Sequence, residues 1–286
     1  MSESKECRVS ETRRRGLVRV LAASAGVLLL AALAGCSPGA SPAGPSSGAS
    51  TAPSPSETGP TGTVTVYAAA SLTETFTQLA GEFEVEHPGV SVTLNFGGSP
   101  TLAEQIVTGG APVDVFASAS DTTMKTVVDA GLVEWTPATF TRNALVIVTP
   151  KGNPAGVTGL EDFADSRLKL AMCDEEVPCG AAAAKIFEQT DIVPRPDTLE
   201  SDVKAVLTKV RLGEVDAGLV YATDAKAAAA EVDAIEFPEA LDAVNNYGIV
   251  PLKAAPNPEA AAAFTEFILT ARGVEVFEEA GFLSLT

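Results

Sequence analysis

From Thr63 onward, short apolar runs alternate with stretches of helical spacing. Thr63–Ala69, Val113–Ala117, Ala144–Thr149, Leu168–Met172, Ala217–Tyr221 and Gly248–Leu252 read as strands. Val90–Phe96 alternates apolar and polar residues, as a strand with one buried face does. Leu72, Phe76, Leu79 and Phe83 recur at helical spacing up to a stop at His87-Pro88-Gly89. Further helices are predicted over Leu102–Thr108, from a cap at Asp121 through Met124, Val127 and Val128, over Ala181–Glu188 and over Asp202–Leu212. An Ala-rich helix runs on from Tyr221 to Glu231, and Glu259–Ala271 is a helix with another helical segment behind it. Repeated strand-then-helix order predicts an α/β architecture of mostly parallel sheets with helices on both faces. Neither an internal repeat nor a Gly-rich phosphate loop is visible.

The N-terminal pattern is of another kind. Arg13, Arg14, Arg15 and Arg19 precede an apolar run from Leu21 to Leu33, which ends in Leu33-Ala34-Gly35-Cys36. The run is shorter than the ~20 residues a spanning helix needs. Basic, apolar and small-residue regions in that order read as a signal peptide over residues 1–35. The tetrapeptide resembles a bacterial lipobox, with Cys36 lipidated; a plain membrane anchor helix is the alternative. Arg13-Arg14 leaves open whether export is general secretory or twin-arginine. Residues 37–62 hold Ser, Pro, Gly, Ala and Thr with a single charge, Glu57. Such a composition builds no core and reads as a tether of roughly 30 Å average span.

Composition narrows the function. The 286 residues suit one two-lobed protein, and a net charge of −18 argues against a nucleic-acid partner. It equally disfavours an anionic ligand, unless local dipoles rather than net charge hold that ligand. Four Cys are present. Cys7 lies in the leader and Cys36 is the lipid site, so Cys173 and Cys179 remain. In an exported protein their short spacing suggests a disulfide.

Four donor-rich turns open predicted helices. Ser71 follows a strand where an N-cap belongs, with Glu74 placed as in a capping box. Gly97-Gly98-Ser99-Pro100 puts Pro at a helix start behind two glycines that allow close approach. Val177-Pro178-Cys179-Gly180 and Glu200-Ser201-Asp202-Val203 open two more. Each is also an ordinary helix start when taken alone. Together, several helix N-termini aimed at one point would hold an anion without Lys or Arg.

Six segments carry a family resemblance: Ala-Ala-Ser-Leu-Thr at 69–73, Phe-Gly-Gly-Ser-Pro-Thr-Leu-Ala at 96–103, Gly-Ala-Pro-Val-Asp-Val-Phe-Ala-Ser-Ala at 110–119, Val-Pro-Cys-Gly at 177–180, Asp-Val-Lys-Ala at 202–205 and Gly-Leu-Val-Tyr-Ala-Thr-Asp-Ala at 218–225. In order and spacing the chain from about Thr63 resembles the periplasmic molybdate-binding proteins of molybdate ABC importers. The resemblance implies a two-lobed class II periplasmic-binding-protein fold, with lobe one at 63–142 and 246–286 and lobe two at 143–245. It implies an oxyanion held by the hydroxyls of Ser71, Ser99 and Tyr221 and the main-chain amides of Cys179 and Val203. Molybdenum would be bound only as that oxyanion. No cofactor is expected; molybdate or tungstate is the transported ligand, an ABC permease the partner and a monomer the state. The protein would sit on the outer face of the cell membrane, held through its N-terminal lipid. Cys179 and Gly97-Gly98 depart from the commoner family residues. Lys204, beside Val203, is expected to be dispensable for binding.

A fully deprotonated tetrahedral dianion needs donors only, whereas a buried, unpaired ligand proton costs roughly 1–3 kcal/mol. Sulfate satisfies the same donors and differs in size. An iron carrier would want clustered Tyr, His and carboxylate ligands, and the chain has three Tyr and one His. That one, His87, reads as a solvated loop residue and offers no base for a secreted Ser enzyme. Trp135 is expected in core or hinge packing.

Overall fold

A computed structural model describes residues 59–285. The signal segment, Cys36 and the tether up to residue 58 lie outside the described residues. The chain begins with strand β1 (Gly62–Ala69), helix α1 (Thr73–Glu86), β2 (Val90–Gly97), α2 (Ser99–Val107), β3 (Val115–Ser118), α3 (Asp121–Asp129) and β4 (Ala138–Asn143). It then passes into β5 (Leu145–Pro150), β6 (Leu170–Cys173), α4 (Pro178–Gln189), β7 (Thr198–Glu200), α5 (Val203–Arg211), β8 (Ala217–Tyr221), α6 (Ala222–Ala227) and β9 (Val232–Ile235). It closes with β10 (Asn245–Pro251), α7 (Pro258–Ile268) and α8 (Ala271–Ala280). The strands form two five-stranded sheets, ordered β2-β1-β3-β10-β4 and β7-β6-β8-β5-β9. Each sheet is the centre of one lobe of a two-lobed α/β fold.

The sheets are mixed rather than mostly parallel. β1 pairs in parallel with β2 and β3, while β10 runs against both β3 and β4. In the second sheet β6 is parallel to β7 and β8, while β5 runs against β8 and β9. β5 and β10 are the strands by which the chain enters each lobe from the other. Entering from the side where the neighbouring strands end, each must run opposite to them.

Alternation along β3 fixes the layers of the first lobe. Val115 and Ala117 face α1, α7 and α8 through Phe76, Phe83, Phe264 and Phe277. Phe116 between them faces α2 and α3 through Leu102, Ile106, Met124 and Val127. A separate core fills the second lobe, built on Leu145, Ile147, Phe163, Ile186, Val206 and Val220. Most strand ends carrying the donor turns therefore meet at the seam between the sheets.

Local readings need four corrections. Ser120, not Asp121, caps α3, its side chain accepting from the Thr123 N–H at 3.2 Å. A hydroxyl one residue earlier reaches the third turn amide, which Asp121, already helical, cannot. β4, β7 and β9 escape the sequence pattern because they hold few large apolar residues. The predicted helix to Glu231 ends at Ala227, giving way to β9. Trp135 is 58 % exposed, in the loop between α3 and β4, and packs in neither core nor hinge. His87 is the C-cap of α1 and stacks near Phe83, with ring centres 4.4 Å apart.

Candidate functional site

Ser71, Ser99, Cys179, Val203 and Tyr221 all line one small cavity between the two lobes. Ser71 lies in a single 3-10 turn, Ala70–Leu72, between β1 and α1, and Ser99 is the first residue of α2. Cys179 and Val203 stand in the first turns of α4 and α5, and Tyr221 ends β8. The cavity among them is about 20 Å³, far below the 300 Å³ or more typical of sites for organic ligands.

Neither serine acts as the N-cap its position suggests. The cap of α1 is Leu72 and that of α2 is Gly98, and neither makes a side-chain cap bond. The 3-10 turn inserted ahead of α1 displaces Ser71 from the cap position, so its hydroxyl is free for other work. Ser71 Oγ lies 2.8 Å from the Tyr247 hydroxyl, and Ser99 Oγ accepts the Ala119 N–H at 3.1 Å. Both serines are buried.

The remaining groups are donors too. In α4, Pro178 occupies the first position and Ala181 N–H returns to Val177 O at 2.9 Å. That leaves the Cys179 and Gly180 amides among those the helix cannot satisfy internally. In α5 the Asp202 carboxylate accepts from Ala205 N–H at 3.0 Å, so it serves its own helix, and Val203 N–H precedes it. The Tyr221 hydroxyl is fully buried and meets no partner with hydrogen-bond geometry. Burial, and after it Tyr247 and Asp224, hold its pKa well above the ordinary range, so it stays protonated as a donor. No Lys or Arg side chain lines the cavity. Hydroxyls, amides and helix dipoles with no cation suit a compact anion that needs no acceptors.

Sequence reasoning passed over the layer behind these groups. Tyr247 and Asn245 stand on β10; Asn245 Nδ2 donates to Ala119 O at 3.0 Å and to Pro178 O at 3.3 Å, tying a turn of each lobe together. The run Asn245-Asn246-Tyr247 opening a buried strand is the signal that could have drawn notice. Lys204, expected to be dispensable for binding, does not line the cavity; its side chain turns to Glu74 Oε1 at 2.7 Å on α1 of the first lobe and to Asp224 Oδ1 at 2.9 Å on α6 of the second.

Cys173 and Cys179 form a disulfide with Cα atoms 5.7 Å apart, closing the turn that leads into α4. Gly180 follows because there is no room for anything larger: a Cβ there would stand 1.8 Å from Asp174 O. Closing so short a loop stabilises by about 2 kcal/mol in the chain-entropy model. Reduction is therefore expected to lower the melting temperature and also to weaken ligand binding, since it frees the Cys179 amide. Paired melting and titration of Cys173→Ser/Cys179→Ser check this; undiminished affinity would separate the bridge from the site.

The chain is similar to known proteins over most of its length. The chain is 40% identical over 234 residues to the molybdate-binding protein ModA of Mycobacterium tuberculosis (strain H37Rv), covering 81% of this chain and 89% of the relative. It is 32% identical over 236 residues to ModA of Escherichia coli, covering 77% and 89%. In fold it matches the periplasmic molybdate-binding protein of Azotobacter vinelandii at a TM-score of 0.64 and 21% identity, covering 78% of this chain and all of that one. Residues 64–283 match a single family along their whole length, and the chain belongs to the bacterial extracellular solute-binding proteins.

Proposed function

We propose that the protein captures molybdate or tungstate between its lobes and delivers it to an ABC permease. The observation that carries this reading is the donor set itself. Ser71 and Ser99 from one lobe and Cys179, Val203 and Tyr221 from the other converge without a cation, and Tyr221 holds a buried, unpartnered O–H. The identity to molybdate-binding relatives supports the choice of oxyanion. A ligand bridging both lobes favours the closed form, which the permease would read. Molybdenum would enter only as its oxyanion, held through hydroxyls and amides, and the reading is of a carrier rather than an enzyme, as for its solute-binding relatives. Residues 63–142 and 246–286 would form the first lobe and 143–245 the second. Lipid on Cys36 would hold a monomer at the outer face of the membrane, the tether letting the lobes stand clear of it.

Calorimetric titration with molybdate, tungstate, sulfate and phosphate tests the reading. Ser99→Ala and Tyr221→Phe each delete one hydroxyl bonded to a charge, so affinity should fall roughly ten- to hundredfold per change. Val203→Ala keeps the backbone amide and should bind as the parent does. Normal binding by both hydroxyl variants would overturn the ligand set.

A further inference from the structure

The hydroxyl behind Ser71 is not passive. Tyr247 has no exposed surface and packs edge-on against Phe140, Tyr221 and Phe282. Burial, partly offset by the hydrogen bond with Ser71 and reinforced by the Asp224 charge, drives its pKa far above the ordinary range. It therefore keeps its proton, and a buried O–H must have an acceptor. Ser71 Oγ, at 2.8 Å, is the partner in place. Ser71 is where the Tyr247 hydroxyl has hydrogen-bond geometry; the Asn143 amide beside it is engaged by Ala144 N–H at 3.0 Å and Thr223 Oγ1, and the Tyr221 hydroxyl lies outside hydrogen-bond geometry. Once Ser71 Oγ accepts from Tyr247, its own proton no longer points at Tyr247 and is released for donation into the cavity. Ser99 is loaded in the same way by the Ala119 amide. A backbone donor cannot be removed by substitution, but the Tyr247 hydroxyl can.

We propose that Tyr247 is a positioning residue: by donating to Ser71 it fixes that serine as a donor to the ligand, and so sets the preference for fully deprotonated oxyanions over protonated ones. This rests on the oxyanion reading above. Without Tyr247's proton, Ser71 could turn and accept from a ligand O–H, which a molybdate dianion lacks and phosphate at neutral pH carries.

The test is a double-mutant cycle read with two ligands, molybdate and phosphate, at neutral pH. Tyr247→Phe keeps the ring and its packing and should melt close to the parent; Tyr247→Leu removes the same donor by a different side chain. Tyr247→Phe is expected to weaken molybdate roughly tenfold and to narrow the ratio of molybdate to phosphate affinity by more than that, as phosphate is held at least as well as before. Ser71→Ala should weaken molybdate, and the double variant should be no weaker than Ser71→Ala alone, because Tyr247 acts through that hydroxyl. Additive losses, or an unchanged ratio in both Tyr247 variants, would overturn the assignment while leaving the carrier function intact. A parent protein that binds neither molybdate nor tungstate would instead remove the function itself, and this inference with it.

Discussion

Gly98→Ala is expected to lower oxyanion affinity by on the order of a hundred- to ten-thousandfold while leaving the unliganded fold nearly as stable as before. Gly98 caps α2 in the first lobe with φ −60° and ψ 129°, a conformation any residue adopts. Alanine therefore causes no backbone strain there. What it meets is the other lobe: a Cβ at Gly98 would stand 2.3 Å from Ser201 O, a backbone atom just ahead of α5. Since a backbone carbonyl cannot rotate away as a side chain tip can, the lobes must part. Parting them pulls the Cys179 and Val203 amides and the Tyr221 hydroxyl from a ligand still held by Ser71 and Ser99. Hydrogen bonds to a charge are worth about 1.5–3 kcal/mol each, so losing two of the three gives the stated range. Titration beside small-angle scattering would show weak binding and a ligand-insensitive, more open particle. Affinity within threefold of the parent would mean that closure tolerates the extra methyl, and that this contact does not set the closed form.

The sequence made the donors legible but not the scaffold that orients them. Each ligand candidate sits in a local motif, a turn after a strand or a Pro at a helix start, and motifs of that size are written in consecutive residues. The α/β order was legible for the same reason, because the strands that fill the cores are apolar runs. Direction was not: β5 and β10 run backwards in their sheets because of where the chain crosses between lobes, and crossing is a property of the whole path. Ser71 shows the limit at a single residue. Its capping-box spacing to Glu74 is genuine, yet a 3-10 turn takes it off the cap and hands it to Tyr247, 176 positions away. Glu74 goes instead to Lys204, 130 positions on. Pairings of that kind arise from the two lobes meeting and leave no periodic trace in the chain.

Lys204→Ala is expected to destabilise the protein by about 1 kcal/mol at pH 7 and by up to about 2.5 kcal/mol at pH 8, the most that one proton taken up by the buried Asp224 carboxyl allows, and the loss should shrink on acidification. Asp224 has no exposed side-chain surface, and Lys204 lies 2.9 Å from it. Burial pushes the Asp224 carboxyl up to about 6 from 3.8, with Lys204 drawing it part of the way back. On the lysine, burial opposes the charge, but Asp224 and Glu74 more than offset that and raise its pKa. A carboxyl whose folded pKa is raised favours the folded state fully only below its unfolded value, and loses that contribution as pH climbs through the folded one. For the parent protein the decline lies between about 4 and about 6 and amounts to about 3 kcal/mol. Removing the lysine raises the Asp224 pKa further, so the variant's decline extends to higher pH and its deficit is largest above neutrality. Below about pH 5 Asp224 is protonated in both folded proteins, no counter-charge is needed, and the two curves should approach each other. Urea unfolding of both proteins from about pH 5 to about pH 8 reads this directly, and Asp224→Asn in the Lys204→Ala background should restore much of the neutral-pH stability. Oxyanion affinity should also fall, because the same lysine joins Glu74 of one lobe to Asp224 of the other; that loss, unlike the loss of stability, should persist after Asp224→Asn. A deficit that stays constant across the pH range, or none at all, would show that the buried carboxylate does not depend on Lys204.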